Sequence, residues 1–555
     1  MGLRQRRTSM ASKAKTRNIK ERSSALTAGT TGVSPNLLVS LGNFKLPFAL
    51  IFGLGILALT PRIQSNETLA WSFIAAALFL GIWCGYLFMQ SNREGEKHTF
   101  DLSLRPQHYI QALVQLSVYV YWGYYWEPSS GWRPVYDHTL LILGQIIFAY
   151  VFSILLSWSR RQNYTLGFGP IPIIFSVNLF LWFRDEWFYM QFLMIALGFM
   201  GKEYFRWQRE GRSVHIFNPS AFALGLFSLV LILTNTTHLT WGQEIASTLT
   251  LAPNIYVFLF LIGLVVMYFF AITLVAGMAA ISLFGLSALY SNFSGVPYFL
   301  DSEIPAAVFL GLHLLVTDPS TSPRTPLGKT LFGVLYGFGV FLLYNLLGVL
   351  GAPTFYDKLL CVPLLNLSVI AIDKAVRSID SRNLLNVWKD NWLSGRANLA
   401  HMFVWVIVFG SMSFLGKTDG KHTGDSLPFW QQACDDSLPN ACERLVQLEN
   451  TYCTDNAAWA CNELGMLYRQ GSVVPRDDAL ATSYFEQSCE LKFKAACINL
   501  LNSNSIARDD PHELDLRLLL REGGLNLMDV PLSDLYVKAC GHNWDFACQK
   551  IQVSL

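Results

Sequence analysis

The feature that most constrains this chain is a series of about thirteen long apolar stretches between residues 44 and 416. A helix that crosses a bilayer needs roughly 20 mostly apolar residues, so these stretches predict a polytopic helical membrane protein. Only 14% of the residues are charged, whereas a soluble domain carries about 25%, which excludes a soluble protein as the whole answer. We place the spans near 44–61, 69–90, 107–125, 139–158, 165–182, 186–200, 217–234, 253–272, 274–291, 304–317, 328–350, 358–373 and 399–416.

The distribution of Lys and Arg predicts the orientation of these spans. Residues 1–24 contain eight Lys or Arg and one Glu, and we expect residues 1–43 to form a disordered cytoplasmic arm. Alternate loops, such as 201–216 and 374–400, hold most of the other cations, as cytoplasmic loops do. An odd number of spans then places the residues after 416 outside the cytoplasm.

The C-terminal segment has the pattern of paired helices. Residues 461–489 contain two apolar stripes at helical spacing around a Gly/Pro turn. Cys453 and Cys489 are 36 residues apart, a period typical of helical-hairpin repeats. The segment 425–555 resembles the cysteine-rich, SEL-type variant of tetratricopeptide repeats. The stripes are formed by Leu464, Leu467 and Tyr468 and by Ala481, Tyr484 and Phe485.

In that type of repeat, two cysteines separated by seven residues are joined by a disulfide. On a continuous helix such positions lie about 12 Å apart along the axis, whereas a disulfide needs Cα atoms within roughly 7 Å. Each pair must therefore straddle a turn, and 435–441 is a plausible one. Zinc is the alternative, but its ligand pairs usually lie two to four residues apart. The expected disulfides are Cys434–Cys442, Cys453–Cys461, Cys489–Cys497 and Cys540–Cys548.

Two polar segments that contain proline adjoin apolar stretches on the predicted cytoplasmic side, 202–224 and 317–329. Asn218-Pro219 and Asp318-Pro319 are expected to begin or end helices there. Such interruptions are costly in lipid unless the freed backbone groups line a cavity enclosed by protein, and binding sites of multi-span proteins often lie at them. We therefore predict a binding site at these segments.

Four stretches of the sequence resemble the RnfD/NqrB family, whose members are membrane components of the Rnf electron-transport complex and of the sodium-pumping Nqr complex. They are Asp101–Tyr109, His215–Ala221, Thr317–Gly328, and Asn366 with Asp373. The resemblance covers about residues 101–380 and implies ten helices in two five-helix halves of opposite orientation. The segments 44–100 and 399–416 would be additional membrane helices, and 381–398 a cytoplasmic linker.

The resemblance also implies a function. Members of this family help to carry electrons across the bacterial inner membrane with flavins, one of them bound covalently to a Thr in a Ser-Gly-Ala-Thr motif. Residues 240–254 contain Ser247, Thr248 and Thr250 but no such motif, so we expect non-covalent FMN or riboflavin. The candidate flavin-binding residues are His215, Asn218, Asp318 and Thr248.

The same resemblance predicts the partners and leaves alternatives open. We expect the other proteins of a membrane complex and a periplasmic protein that docks on the repeats, and no nucleic acid. Whether the chain is an enzyme is uncertain, and we identify no catalytic or metal site. Haem ligation by His108, His215, His313 or His401 is an alternative, although lone histidines at membrane interfaces are usually not ligands. A non-redox transporter or channel of the same architecture, and a scaffold that presents the repeats, are alternative functions.

Overall fold

The computed structural model describes residues 44–94, 98–127, 131–161, 163–209, 211–300, 302–381, 396–418, 422–454, 456–471, 473–502, 507–520, 531–541 and 544–554. The predicted arm 1–43 and nearly all of the predicted linker 381–398 lie outside these residues. The described part is mostly helical, as expected, and contains four short strands.

Sixteen described helices, together called the bundle, precede residue 416. They are α1 (Lys45–Leu57), α2 (Pro61–Gln64), α3 (Glu67–Glu94), α4 (Pro106–Tyr125), α5 (Pro134–Asp137), α6 (Thr139–Trp158), α7 (Pro170–Asn178), α8 (Tyr189–Tyr204), α9 (Pro219–Leu233), α10 (Gly242–Thr248), α11 (Ile255–Phe270), α12 (Thr273–Ser294), α13 (Ala306–Leu314), α14 (Pro326–Val349), α15 (Asp357–Ser381) and α16 (Ala397–Phe414).

Six elements of the bundle are long and apolar enough to cross a membrane, and the bent pair α10 and α11 makes a seventh if it counts as one span. The other predicted spans are helices that are shorter or less apolar. The six are α3, α5 with α6, α12, α14, the helix that includes α15, and α16.

The predicted spans 165–182 and 304–317 differ most from the structure. Each contains a helix of nine residues, α7 and α13, which is about 14 Å long and cannot cross a bilayer by itself. The chain is not helical over most of the five residues that follow Asn178 and Leu314. Length and apolarity predicted these spans, but neither property requires that the segment be helical throughout.

The helices from α4 to α15 form two consecutive sets that run in opposite directions. In each set two long helices are followed by a nine-residue helix and two more long helices: α4, α6, α7, α8, α9 and then α11, α12, α13, α14, α15. The first set starts beside Arg105, Lys202, Arg212 and Arg324, which we call the basic end of the bundle. The second set starts at the other end, where the Tyr121 hydroxyl of α4 donates to the Pro253 carbonyl.

The helices α12 and α14 pack closely against each other. Gly333 and Gly337 lie four residues apart on α14, so they face the same neighbour. A Cβ atom at Gly333 would lie 2.4 Å from the carbonyl oxygen of Val275, and one at Gly337 would lie 2.7 Å from that of Ala279. Small residues at this spacing let two backbones approach, and a larger residue at either position would separate the helices.

Four strands, which the sequence did not predict, lie at the basic end. β1 (Thr99–Leu102) pairs in parallel with β2 (Asn163–Leu166). β3 (Arg206–Arg209) and β4 (Arg212–His215) form an antiparallel hairpin between α8 and α9. Both pairings bring polar backbone and side chains together beside the ends of apolar helices.

Eight further described helices follow the bundle, and we call residues 422–554 the cysteine module. Disulfides join each of the four expected cysteine pairs, with Cα–Cα distances of 4.6 to 4.9 Å. Each pair straddles a turn between two helices, as the geometry requires. The helices are α17 (Leu427–Asp435), α18 (Ala441–Thr454), α19 (Ala458–Gln470), α20 (Asp478–Glu490), α21 (Lys494–Leu501), α22 (Glu513–Leu519), α23 (Leu532–Gly541) and α24 (Asp545–Ser554).

The cysteine module packs against the bundle at the end opposite the basic end. Val296 of the bundle is buried in the same apolar cluster as Trp430. The Asn440 side chain donates to the Tyr290 hydroxyl at 3.0 Å, and the Arg444 guanidinium lies 4.9 Å from the centre of the Tyr344 ring. The first helix pair of the module therefore rests on the second helix set.

Candidate functional site: a polar cavity at the basic end

The two short helices leave backbone groups without helical partners, and the bundle satisfies them in different ways. At the end of α7, the Asn178 amide donates to the Gln145 side chain at 2.7 Å and accepts from His138 and Gln145. The Gln191 side chain accepts from the Phe183 backbone amide at 3.1 Å. These four polar side chains are buried and hydrogen-bonded to one another. The polar groups at this break are thus satisfied within the bundle, and we call it the closed break.

The break after α13 is held by side chains from other parts of the bundle. The Asn218 amide donates to the Leu315 carbonyl at 2.9 Å, and the Asn366 amide donates to the Thr321 carbonyl at 3.2 Å. The Arg209 guanidinium donates to the Ser322 carbonyl at 2.9 Å. This segment borders a cavity, as expected for irregular backbone in an apolar bundle.

The cavity has a volume of about 810 Å³ and lies at the basic end, between the two helix sets. This volume is within the usual range for small-molecule sites. Apolar side chains from α6, α7, α8, α11 and α13 line part of it, and cationic and hydroxyl side chains are also in the wall. The apolar group includes Leu156, Ile173, Phe199, Val266, Phe270 and Leu314, and the cationic group is Arg105, Arg161, Lys202, Arg206, Arg212 and Arg324.

Asn218 fixes the start of α9 at the cavity wall. Its side-chain oxygen accepts from the Ser220 amide at 3.1 Å and from the Ser220 hydroxyl at 2.8 Å. Its backbone amide donates to the Asn366 side chain at 3.1 Å. Asn218 thus acts as the helix cap that the sequence predicted and also joins α9 to both α13 and α15.

His215 and Asp318 form a hydrogen-bonded pair in the wall of the cavity, at what we call its mouth. The His215 Nε2 atom lies 3.3 Å from a carboxylate oxygen of Asp318, and the other oxygen accepts from the Ser320 amide at 2.8 Å. Burial acts to raise the pKa of Asp318, but the hydrogen bonds from His215 and Ser320 outweigh it and hold the pKa below its usual value. Asp318 therefore carries its negative charge at neutral pH.

Asp373 does not line the cavity. It forms a buried ion pair with Arg209 of the β3–β4 hairpin. The Arg209 guanidinium lies 2.7 Å from Asp373, and the side chains of the two residues are 4% and 6% exposed. Since Arg209 also binds Ser322, the pair ties the β3–β4 hairpin to the segment after α13. The sequence predicted a helix boundary at Asp318 and placed Asp373 in one of the four stretches that resemble the RnfD/NqrB family, but the pairing of Asp318 with His215 and of Asp373 with Arg209 was not foreseen.

Three of the four candidate flavin-binding residues, His215, Asn218 and Asp318, line this one cavity. Thr248 does not, because it lies at the opposite end of the bundle. There it is buried, accepts from the Trp122 indole at 3.1 Å and donates to the Glu244 carbonyl at 2.7 Å. Thr248 therefore lies apart from the other three candidates, and a role for it in flavin binding stays a prediction.

The histidines named as haem candidates do not form one group. His108 and His215 line the cavity, whereas His313 is buried against Gly263 of α11 and its Nδ1 atom lies 2.8 Å from the Phe309 carbonyl oxygen. His401 is in the first turns of α16. Among the described residues, no group of three or more His, Cys, Asp or Glu is placed to hold a metal ion.

The sequence analysis missed several residues that build the site. Lys202 lies in the predicted segment 202–224 and Arg105 in the stretch Asp101–Tyr109, but neither was named as a candidate site residue. Gln145 and Gln191 were not singled out, although each is an isolated amide in an otherwise apolar stretch. That isolation was the available signal, because a polar side chain in an apolar helix needs a partner.

Comparisons of this chain with protein-family models, with curated proteins and with solved structures find no match. The resemblance to the RnfD/NqrB family therefore stays a prediction from the four motif stretches, and so does the resemblance to SEL-type repeats.

Proposed function

We propose that this chain is a membrane component of an electron-transport complex of the Rnf and Nqr type and that it binds a flavin non-covalently in the cavity at the basic end. The observation that carries this proposal is the composition of the cavity wall. Phe199 and Phe270 offer apolar and aromatic contacts to a flat ring system, and cations beside them suit a charged tail. A bound flavin supplies reversible redox chemistry.

The residues of the cavity fit such a ligand in three respects. His215 and Asp318 provide a hydrogen-bonding pair at the mouth, and Ser153, Ser157 and Ser176 provide hydroxyl groups on the wall. Asn218 and Asn366 hold the backbone of the wall in place without the ligand. In this proposal the chain's own residues bind and orient the ring and limit its access to water.

The two sets of helices support the proposed architecture, two five-helix halves of opposite orientation. We also propose that the basic end faces the cytoplasm, in accord with the excess of cations there, and that the cysteine module faces the periplasm, where disulfides persist. An acceptor protein would then dock on the module. Labelling of the reduced module cysteines in intact cells by a reagent that cannot cross the inner membrane tests this orientation.

The ligand proposal is tested with the full-length protein purified in detergent. We expect the visible absorption of oxidised flavin in the preparation, or its recovery on adding FMN to protein washed free of ligand. Phe199→Ala should weaken flavin binding, because Phe199 lines the cavity. The matched control is Phe192→Ala on the same helix, whose ring contacts Phe73 and Phe188 instead.

Electron transport itself is tested in liposomes. Protein loaded with flavin should transfer electrons from dithionite outside to ferricyanide enclosed inside, and the same protein without flavin should not. A preparation that neither contains nor binds flavin would contradict the proposal.

A second candidate function is solute transport. Two interrupted helices in sets of opposite orientation are typical of transporters, and this arrangement favours it. In the structure, however, Phe180 and Tyr336 pack against Gly311 of α13, where a Cβ atom would lie 3.3 Å from the Tyr336 hydroxyl. This close packing leaves no open solute path beside Gly311. A protein that shows no flavin binding but makes liposomes permeable to small solutes would support this alternative.

A further inference from the structure

The cations of the cavity outnumber its acids, and both acids have partners. Of the two carboxylates in the wall, Glu203 pairs with Arg161 and lies 3.4 Å from Arg160 and 3.7 Å from Arg206. Asp318 pairs with His215. The acidic side chains of the wall are therefore engaged, and they leave part of its positive charge uncompensated.

These contacts leave over four of the lining cations. Arg324 has other contacts, and of Arg212, Lys202 and Arg105 the last two lie near His108. Neither Lys202 nor Arg105 forms a hydrogen bond or an ion pair through its side chain with any residue that the structure describes. Lys202 comes from the end of α8 and Arg105 from the residue before α4, so they reach the cavity from different helices. Both are close enough to His108 to act electrostatically on its ring. Arg105 is exposed and Lys202 is half-buried, so both can be reached from solvent, and their charges attract an anion that enters the cavity.

The helix ends at the cavity add to the same field. α7 begins at Pro170 and α9 at Pro219, and the start of a helix carries partial positive charge. The first amides of α9 already donate to Asn218, and Pro170 and Pro172 of α7 have no amide hydrogen. The helix ends thus offer few free amides, and an anion in this cavity would depend on the side chains of Lys202 and Arg105, with the helix dipoles adding to the attraction.

We propose that Lys202 and Arg105 form a subsite for a phosphomonoester group, so that the cavity selects a phosphorylated ligand over its unphosphorylated counterpart. This inference rests on the proposed function in one respect: the ligand to which the phosphate belongs is then FMN and not riboflavin. The subsite itself depends only on the cavity and its unpaired cations.

The test compares FMN and riboflavin on full-length protein in detergent, by quenching of flavin fluorescence. Charge-assisted hydrogen bonds are about twice as strong as neutral ones, and we expect FMN to bind at least about 30-fold more tightly than riboflavin, which is about 2 kcal/mol. Lys202→Gln and Arg105→Gln should each reduce this ratio at least about fivefold and leave riboflavin binding unchanged. The matched control is Lys374→Gln, an exposed lysine of α15 at the same end, which should retain the full ratio.

Inorganic phosphate separates failure of the subsite from failure of the proposed function. Phosphate should bind to ligand-free protein, measured by calorimetry, and Lys202→Gln should abolish that binding while the thermal midpoint stays within about 2 °C of the parent. Equal affinity for FMN and riboflavin, with no phosphate binding, would overturn the subsite but leave the flavin proposal. Phosphate binding that depends on Lys202, without binding of either flavin, would retain the subsite and overturn the flavin proposal.

Discussion

In the bundle, the interrupted helices depend on buried polar side chains, whereas the short helices of the cysteine module are joined by covalent bonds. The break after α7 is closed by Asn178, Gln145, Gln191 and His138. In the module, helices of 8 to 14 residues are linked by disulfides across their turns. Both regions must stabilise short helices, but with different means.

The difference fits the surroundings that we propose for the two regions, a membrane for the bundle and water for the module. Apolar surroundings cannot hydrogen-bond to a freed backbone group, so each break in the bundle needs a specific side-chain partner. In water the backbone at a turn is satisfied by solvent, and the difficulty is instead the small apolar core of short helices. A disulfide lowers the entropy of the unfolded chain and so supplements that core. The two regions should therefore respond to different perturbations.

The largest expected effect is in the bundle, at the buried pair of Arg209 and Asp373. Asp373→Asn leaves the Arg209 charge buried without its partner and should lower the free energy of unfolding by about 3–5 kcal/mol. Denaturant unfolding in mixed micelles measures this loss, which should be the same with and without reductant. The double variant Arg209→Met, Asp373→Leu is the control and should regain most of the stability. A loss below about 1 kcal/mol for Asp373→Asn would show that the pair does not hold the hairpin.

The next effect is expected at the closed break. Asn178→Leu removes the acceptor for His138 and Gln145 and the donor to Gln145, and unsatisfied buried groups cost about 1–3 kcal/mol. We expect a loss of about 3 kcal/mol in the same micelle assay, with unchanged affinity for flavin. Gln243→Leu, an exposed amide of α10, is the matched control and should change stability little. If Asn178→Leu weakens ligand binding instead, the two breaks are not as separate as their contacts suggest.

The same difference explains how much of the fold could be predicted from the sequence. Apolar length predicted helices such as α6 and α14 to within about two residues of their ends, and the spacing of the cysteines predicted turns such as the one between Cys434 and Cys442. Both are local properties. The helix breaks at Asn178 and Leu314 depend on partners in other helices, such as Gln145 and Asn366, which no local pattern contains.

The candidate site was predictable to the same extent. His215, Asn218 and Asp318 were found because proline-containing polar segments adjoin apolar helices there, and this signal is local. Lys202 and Arg105 were missed as site residues because cations in loops are ordinary on the cytoplasmic side. Their convergence on one cavity joins parts of the chain that are almost 100 residues apart, and no local pattern contains that information.

The third prediction concerns the covalent links of the module. Replacing Cys453 and Cys461, which are buried between α18 and α19, with Ala should destabilise the module by about 2–3 kcal/mol. Limited proteolysis followed by mass spectrometry should show earlier cleavage after residue 425, with the bundle unaffected. Cys84→Ala is the control, since that thiol is free and buried in the bundle. Equal protease resistance of the parent with and without reductant would argue against any stabilising role of the disulfides.

The smallest effect is a pH dependence confined to the module. Burial raises the pKa of Glu463 to about 7. Burial and the nearby Glu463 carboxylate raise the pKa of Glu449 well above its usual value, and the opposing cation is Arg508, 3.4 Å from Glu463.

A raised carboxyl pKa means that the folded module binds the proton more tightly than the unfolded chain does. The stabilisation is therefore complete below the unfolded pKa of about 4.5 and is lost as the pH rises through about 7. We expect the module to lose on the order of 2 kcal/mol between pH 5 and pH 8, measured by the same proteolysis over a pH series. Glu463→Gln should flatten this dependence while the bundle responds as before. A bundle that loses resistance in parallel with the module would mean that the two regions unfold as one unit through the contacts of Asn440 and Arg444.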